Sequence, residues 1–275
     1  MYRLGVVSFL NSRPLIAGLE DNHRFELMFE APAILDGWLQ EGLVDAALVP
    51  IVDVLHACGR YRVVSDACIG SESETMTVRV FSRTPPDRIR ALSVDGDSHT
   101  SAALATVIWQ RVYKRKLELR RIDARHENLT QCDSVLLIGD KVVQAMNLGF
   151  PYELDLGGAW RLHSGLPFVF AVWAYRADVE RKKRAAFDAE ELGQMLSAAR
   201  DRGVAAAENL AQIYGPERGW PVELAERYLT KSLCFKLDGR CIEGANRFAR
   251  YCAEADIVPA GAAIPWPSAV DAGGK

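Results

Sequence analysis

Apolar and polar positions along the first fifty residues predict short strands separated by helices. Residues 4–8 form a short apolar run, and the loop after it leads into a helix at Pro14. Residues 25–30 alternate like a half-buried strand, and a helix is predicted over 32–41. Residues 45–51 are mostly apolar, which is typical of a strand buried on both faces. This β-α-β-α-β order predicts a parallel sheet with right-handed crossovers.

A second run of the same kind begins after the Pro85-Pro86 pair. It contains, in chain order, a strand at 91–94, a loop at 95–98, a helix over about 100–114, strands at 117–122 and 134–138, and a short helix from Asp140. Around this run lie strands at 63–68 and 76–82, a loop plus strand over 152–175, and a mostly helical part over 177–256. Two such runs in one chain predict an α/β protein with two lobes.

The order of elements predicts a two-lobed type II periplasmic-binding-protein-like fold with a ligand cleft between the lobes. In this architecture the ligand lies near the carboxyl ends of strands and the amino ends of helices. The predicted boundaries place residues 1–83 and 174–275 in the first lobe and 84–173 in the second. A single doubly wound domain is the alternative.

The composition limits the kinds of partner. A chain of 275 residues that is 49% hydrophobic can bury a sizeable core. With 25% charged residues and a net charge of -3, it gives no reason to expect a nucleic-acid or anionic-membrane partner. It also lacks an N-terminal signal-peptide pattern and any run of about 18 apolar residues. We therefore expect a cytoplasmic protein whose partner is a small molecule, and its oligomeric state stays open.

The familiar cofactor, metal and nucleophile motifs do not occur in the sequence. The six cysteines are scattered, without a Cys-x-x-Cys pair or a histidine at metal-ligand spacing. Neither Gly-x-Gly-x-x-Gly nor the P-loop motif occurs, and no Gly-x-Ser-x-Gly elbow marks a hydrolase. The sequence therefore predicts reduced, buried thiols and no metal site, and it gives no signal for dinucleotide or nucleoside-triphosphate chemistry.

Two loops of the first half carry candidate polar groups. The loop from Ser8 to Pro14 contains Asn11, whose amide can both donate and accept before a helix whose free N–H groups face an anion. Simple capping of that helix by Asn11 or Ser12 is the alternative. The second loop contains Ser71, with Thr75 and Thr77 just beyond it, although a polar strand face would explain the threonines equally well.

Two later loops add hydroxyl and aromatic groups. Ser98, Thr100 and Ser101 stand at a helix start, where hydroxyls and unpaired N–H groups can form a neutral cradle for a carboxylate. One of the three is expected to cap the helix. The loop over 155–168 contains Trp160 and His163; the indole can line a ring-shaped ligand or can pack in the core.

These loops carry a resemblance to a known family. The matching strings are, in order, Val6-Val7-Ser8-Phe9-Leu10-Asn11-Ser12-Arg13-Pro14-Leu15, Asp45-Ala46-Ala47-Leu48-Val49-Pro50, Ile69-Gly70-Ser71, Phe81-Ser82-Arg83, Ser98-x-Thr100-Ser101, Leu136-Leu137-Ile138-Gly139-Asp140, Asp155-Leu156-Gly157-x-x-Trp160 and Gly165-Leu166-Pro167-Phe168-Val169-Phe170-Ala171. Together they resemble the chorismate dehydratases of the futalosine route to menaquinone. Each string is weak alone, but eight in the same order over residues 4–175 are specific.

The resemblance implies a lyase with a periplasmic-binding-protein-like fold that dehydrates chorismate to 3-[(1-carboxyvinyl)oxy]benzoate without a cofactor. The sister family that makes 1,4-dihydroxy-6-naphthoate shares the fold, but its opening loop resembles Ser-Pro-Cys-Pro-Asn-Asp. The string Asn11-Ser12-Arg13-Pro14 therefore favours the dehydratase. The chain departs from the family after Ser71, where Glu72 and Glu74 place two carboxylates beside a pocket meant for a dianion.

The predicted site follows from the resemblance and from the chemistry of the loops. Catalytic roles are assigned to Asn11 and Thr77. Substrate-binding roles are assigned to Ser8, Ser71, Ser98, Thr100, Ser101, Trp160 and His163. The hydroxyls at the helix start would hold one carboxylate, and Asn11 with Ser71 or Thr77 would bind the enolpyruvyl group or the departing hydroxyl. The substrate's own enolpyruvyl carboxylate is the preferred base, with His99 and His163 as alternatives.

Two other functions stay open from the sequence. One is the naphthoate-forming sister activity. The other is a non-catalytic protein that binds a small anion.

Overall fold

The computed structural model describes residues 1–124, 126, 128–181 and 187–267, and within them the strands form two separate sheets. The strands are β1 (Tyr2–Val7), β2 (Phe25–Glu30), β3 (Ala46–Pro50), β4 (Tyr61–Ser71), β5 (Val78–Ser82), β6 (Ala91–Asp95), β7 (Glu118–Ile122), β8 (Ser134–Ile138), β9 (Tyr152–Asp155), β10 (Phe168–Arg176) and β11 (Cys234–Lys236). The larger sheet has the order β11-β4-β10-β3-β1-β2 and the smaller one the order β7-β6-β8-β5-β9.

Helices cover both sheets. They are α1 (Pro32–Glu41), α2 (Ile51–His56), α3 (His99–Arg111), α4 (Asp140–Ala145), α5 (Leu156–Ser164), α6 (Asp178–Arg181), α7 (Ala189–Ala205), α8 (Ala207–Glu217), α9 (Val222–Arg227) and α10 (Gly239–Glu254). A π-helical segment, Tyr228–Ser232, joins α9 to β11. None of the helices in the described ranges is long and apolar enough to cross a membrane.

The predicted parallel pairing holds in part of each sheet. Strand β1 pairs in parallel with β2 and β3, and β6 pairs in parallel with β7 and β8. The other pairs are antiparallel, because β10 returns between β3 and β4, and β5 lies between β8 and β9. Eight consecutive residues of β10, from Phe168 to Tyr175, are buried, as expected for a central strand covered on both faces.

The chain crosses between the sheets twice, and these crossings correct two predicted lobe assignments. The prediction placed β5 in the first lobe and the start of β10 in the second, but β5 belongs to the smaller sheet and all of β10 to the larger. The crossings therefore lie at residues 72–77 and 165–167. The prediction took Pro85-Pro86 as the crossing, but these prolines only introduce a 3₁₀ turn within the second lobe. Residues 182–186 and 268–275, which the prediction assigned to the first lobe, lie outside the described residues.

The predicted helix at Pro14 is a 3₁₀ segment, Leu10–Leu15, instead of an α-helix. It ends at Leu15, and Gly18 in the turn that follows adopts a left-handed conformation with φ of 75°. Helix α7 packs against this segment so closely that a Cβ at Gly203 would lie 1.9 Å from the Pro14 carbonyl oxygen. The segment that carries Asn11 is therefore held by α7, and Asn11 lies within this short 3₁₀ turn and not at the amino terminus of an α-helix.

Candidate active site

A cavity lies between the two lobes, with roughly 550 Å³ of empty space including its open mouth. The larger sheet and its loops contribute Val7, Phe9, Asn11, Pro32, Pro50, Ile69, Phe170 and Ala171. The crossing after β4 and the smaller sheet with its loops contribute Thr75, Thr77, Val78, Ser98, His99, Thr100, Ser101, Ile138 and Gly139. The segment after α9 contributes Tyr228 and Leu233. Among these wall residues there is no lysine, arginine, aspartate or glutamate. The cavity is thus mostly apolar, with a few converging hydroxyl, amide and imidazole groups, as small-molecule sites usually are.

Five of the predicted site residues meet at this cavity. They are Asn11, Thr77, Ser98, Thr100 and Ser101. They come from the loop after β1, the crossing between the sheets and the first turn of α3, three segments that are far apart in sequence. Their catalytic and binding roles stay predictions, but their convergence is a property of the fold.

Ser8 and Ser71 do not line the cavity. Ser8 is exposed and faces a separate polar groove beside Asp140 and Lys141. The Ser71 hydroxyl is buried and closes a tight turn, since its Oγ donates to the Ser73 carbonyl at 2.6 Å and accepts from the Ser73 N–H at 3.2 Å. Ser71 therefore shapes the crossing between the lobes.

Trp160 and His163 also lie away from the cavity. Trp160 is completely buried, its Nε1–H donates to the Pro167 carbonyl at 3.1 Å, and its ring packs edge-on against Phe168. It belongs to the core, which was the alternative reading of its position. His163 is exposed on a groove on the outer side of α5, together with Glu74. A base at His163 is therefore incompatible with this geometry.

The first turn of α3 presents unused donors to the cavity. Ser98 occupies the N-cap position, but its side chain makes no capping hydrogen bond, contrary to the expected cap. Across the described residues, neither the Ser98 hydroxyl nor the Ser101 hydroxyl has a hydrogen-bond partner, although both residues are buried. The first N–H groups of an α-helix also lack partners within the helix. This turn can therefore receive a carboxylate with hydroxyl and backbone donors together.

Thr100 has a different role from its neighbours. Its Oγ1 donates to the Phe170 carbonyl at 3.2 Å and accepts from the Val52 N–H at 3.3 Å. Both partners belong to the first lobe, so the single hydroxyl hydrogen of Thr100 is used to tie α3 to that lobe. Thr100 lines the cavity but does not offer its hydroxyl hydrogen to a ligand.

Asn11, Thr77 and Tyr228 form a polar cluster on another wall of the cavity. The Tyr228 hydroxyl lies 2.6 Å from Thr77 Oγ1 and also interacts with the Asn11 side chain. Burial raises the pKa of Tyr228, so its hydroxyl stays protonated. Within the described part of the chain, Asn11 Oδ1 is buried without a hydrogen-bond partner. A buried, unpaired amide oxygen on a cavity wall is poised to accept a hydrogen bond from a ligand.

Tyr228 is a site residue that the sequence analysis missed. It lies in the π-helical segment after α9, and its ring stacks on Trp220 at a centroid distance of 4.9 Å. The surrounding sequence looks like ordinary helix, and no motif marks it. The π-helical turn, a feature often found at functional sites, is visible only in the structure.

His99 is the wall residue that can carry a positive charge. Its Nδ1 lies 3.0 Å from both carboxylate oxygens of Asp53, which is buried at the start of α2. The hydrogen bond to Asp53 raises the pKa of His99 despite its partial burial. Burial raises the pKa of Asp53 even though His99 opposes this shift. The pair joins the two lobes and keeps the imidazole more readily protonated than a free histidine.

The acidic loop, in which the chain departs from the family pattern, does not reach the cavity. Glu72 is half exposed and lies 3.7 Å from Arg240 and 3.9 Å from Arg161. Glu74 lines the outer groove that also contains His163. The two carboxylates therefore add no negative charge to the cavity wall.

Gly139→Ala is expected to destabilise the protein by about 1–3 kcal/mol and to weaken ligand binding. Gly139 has φ of 59° and ψ of -143°, and a Cβ there would lie 2.6 Å from the Phe9 ring, which lines the cavity. The measurement is chemical denaturation of the variant together with a ligand titration. Gly149→Ala is the matched control, because Gly149 also has a positive φ but has open space around it. Equal stability losses in the two variants would contradict a role for the Phe9 contact.

Comparisons with known proteins agree with this architecture. A chorismate dehydratase from Thermus thermophilus is 26% identical over 244 residues, which cover 83% of this chain and 87% of that protein. The protein AF1704 from Archaeoglobus fulgidus has a similar structure, with a TM-score of 0.71 at 14% identity, covering 94% of this chain and 98% of the other. The periplasmic aliphatic sulphonate binding protein SsuA from Escherichia coli gives a TM-score of 0.63 at 13% identity, covering 94% and 88%.

These likenesses confirm the predicted fold class and the predicted resemblance. The solved structures are too distant in sequence to indicate more than the fold. A family model described as menaquinone biosynthesis matches residues 2–254, which is nearly the whole chain. The chain therefore belongs to the menaquinone biosynthesis family.

Proposed function

We propose that the protein is a hydro-lyase that converts chorismate to 3-[(1-carboxyvinyl)oxy]benzoate in the futalosine route to menaquinone. The observation that carries the proposal is that two polar groups line one cavity, the cluster of Asn11, Thr77 and Tyr228 and the first turn of α3. The family and the chorismate dehydratase from Thermus thermophilus support the same assignment.

The dehydration requires few catalytic groups. The C3–H bond breaks and its electrons enter the ring, the C4–O bond breaks, and the proton and hydroxide leave as water. The product ring is aromatic, so the protein mainly has to position groups and stabilise developing charge. No net oxidation or reduction occurs, so the proposal requires no redox cofactor.

The two polar groups of the cavity have different roles in this reaction. We assign the Ser98 and Ser101 hydroxyls and the first N–H groups of α3 to one substrate carboxylate, with His99 adding positive charge beside them. The Asn11 amide donates to the departing oxygen, and Thr77 and Tyr228 hold that amide in place. The cavity wall contains no carboxylate, so the proposed base is the enolpyruvyl carboxylate of the substrate.

The deciding experiment adds purified protein to chorismate and follows aromatic absorbance together with chromatographic identification of the product. Formation of 3-[(1-carboxyvinyl)oxy]benzoate with many turnovers supports the proposal. Chorismate that binds but stays unchanged would instead identify an anion-binding protein, and failure to bind chorismate would overturn the substrate assignment.

The affinity for the aromatic product is expected to fall by roughly 2- to 5-fold as pH rises through the raised pKa of His99, and to stay constant below it. His99 is positive below this pKa and neutral above it, whereas both carboxylates of the ligand stay ionised throughout. The charged groups acting on His99 are Asp53, Asp36 and Arg121. Product titrations across this pH range are the measurement. His99→Gln should give a flat profile, and an unchanged slope in that variant would exclude His99 as the source.

A further inference from the structure

A second cluster of reactive side chains lies behind the cavity wall, where β4, β11 and α10 meet. The Cys241 Sγ, a carboxylate oxygen of Asp238 and a carboxylate oxygen of Glu72 all lie within 4.8 Å of one another. The Cys234 thiol, on β11, lies beside the Cys241 thiol but outside this group of three. Thiols and carboxylates from three elements therefore converge at one place.

The backbone makes room for this cluster and holds it. Cys234 on β11 pairs with Gly70 on β4, and a Cβ at Gly70 would lie 2.7 Å from the Cys234 Sγ. The thiol therefore occupies the space that the missing side chain leaves. Asp238 caps α10 by accepting the Cys241 N–H at 2.7 Å on Oδ1, which fixes the carboxylate and the thiol on the same turn. The other carboxylate oxygen of Asp238 is not needed for the cap.

We propose that Cys234, Asp238, Cys241 and Glu72 form a binding site for a thiophilic divalent cation of the zinc(II) class. Thiolate sulfur and carboxylate oxygen together suit such an ion, which takes four ligands at about 2.3 Å for sulfur and about 2.0–2.2 Å for oxygen. Binding replaces the two thiol protons, which pass to solvent, so the two thiolates and two carboxylates surround the cation. This site goes beyond the proposed function and does not depend on it.

The distances fit after a small movement of an exposed side chain. Tetrahedral bonds of these lengths place neighbouring ligand atoms roughly 3.3–3.8 Å apart, so the ligand atoms of Glu72, Asp238 and Cys241 have to approach one another by up to about 1 Å, and the Cys234 thiol has to turn toward them. Glu72 can supply this movement, because its side chain is 51% exposed and its contacts with Arg161 and Arg240 are long. Exposed ion pairs of this kind contribute little and yield easily to a cation.

The location of the site gives the cation a structural role. It would connect the end of β4 to β11 and to the first turn of α10. Leu233, next to Cys234, lines the cavity, and the π-helical segment with Tyr228 lies directly before it. A bound ion would therefore fix the cavity wall that carries Tyr228, without itself contacting the substrate.

The test is a titration of the reduced, metal-free full-length protein with cadmium(II), which serves as a spectroscopic substitute for zinc(II). We expect an ultraviolet sulfur-to-cadmium charge-transfer band that saturates at one equivalent and disappears when zinc(II) is added in excess. Cys241→Ser should lose most of the band, because only the Cys234 thiolate would remain and the site would bind more weakly. Cys252→Ser is the matched control, because Cys252 is a buried cysteine on the same helix that lies outside the cluster, and it should keep the band.

Glu72→Gln keeps the test decisive even if a buried cysteine variant fails to fold. Because Glu72 is exposed, this variant should melt like the wild type without metal, yet bind cadmium(II) about 10- to 100-fold more weakly. The absence of a band in the wild type, a band of undiminished intensity in folded Cys241→Ser, or an unchanged affinity in Glu72→Gln would each overturn the proposal.

Discussion

Asn11→Ala is expected to reduce turnover of chorismate by roughly 10²–10³-fold while the protein keeps its fold and much of its ligand affinity. The Asn11 amide oxygen is buried at the cavity without a partner in the described structure, so removal of the side chain costs the fold only its contact with Tyr228. A contact with the departing oxygen strengthens as charge develops, and its loss therefore affects the transition state more than the bound substrate.

The measurement for Asn11→Ala is steady-state kinetics beside a thermal melt. Ser8→Ala is the matched control, because Ser8 lies in the same loop but faces a different groove, and it should keep near-normal turnover. A normal rate in Asn11→Ala would remove this residue from the chemistry. An equal loss in both variants would show that the loop, and not the amide, is responsible.

The strands could be predicted from sequence because their hydrophobic patterns are local and strong. The segments 45–51, 91–94 and 134–138 all appear as buried strands within one or two residues of the predicted bounds. Their distribution between two sheets could not be predicted, because the sequences of β5 and β10 show that they are strands but do not show which strands they pair with. Pairing over long sequence distances leaves no local signal, which is why both lobe boundaries were displaced.

The segment 155–168 was predicted to be a loop, but it contains helix α5. The helix forms because its N-terminal cap stabilises it more than its glycines destabilise it. Gly157 and Gly158 suggest a loop, since glycine is a poor helix former. In the structure Asp155 caps α5 by accepting the Gly158 N–H at 3.0 Å, and it also accepts the N–H groups of Thr75 and Met76. One carboxylate thus organises both the helix and the nearby crossing between the lobes, an arrangement that depends on residues about eighty positions apart.

The site residues that lie in loops after strands could be predicted from the sequence. Asn11, Thr77 and the first turn of α3 stand where such loops meet in a two-lobed fold. Tyr228 and the Asp53 partner of His99 come from helical segments, where nothing in the sequence separates them from surface or core positions. Ser71 and Trp160 match the family pattern equally well, but the structure uses both for packing and turns.

The first turn of α3 yields the second large expected effect. Ser98→Ala and Ser101→Ala should each weaken binding of chorismate by about 5- to 150-fold, which corresponds to about 1–3 kcal/mol for a charged partner left short of a hydrogen bond. Both residues are buried and, across the described residues, their hydroxyls are unpaired, so neither substitution removes a contact that the folded protein needs. The stability of the two variants should therefore be close to that of the wild type.

Thr100→Ser is the control that distinguishes the loss of a free hydroxyl from the effect of any substitution in the first turn of α3. The serine keeps the hydroxyl that joins Phe170 and Val52, so binding should change little. Isothermal titration with the aromatic product measures affinity for all three variants, and thermal melts monitor folding. Unchanged affinity in both alanine variants would leave only the backbone N–H groups of α3 to hold the carboxylate. A loss of the same size in Thr100→Ser would mean that the geometry of the turn, and not its free hydroxyls, determines binding.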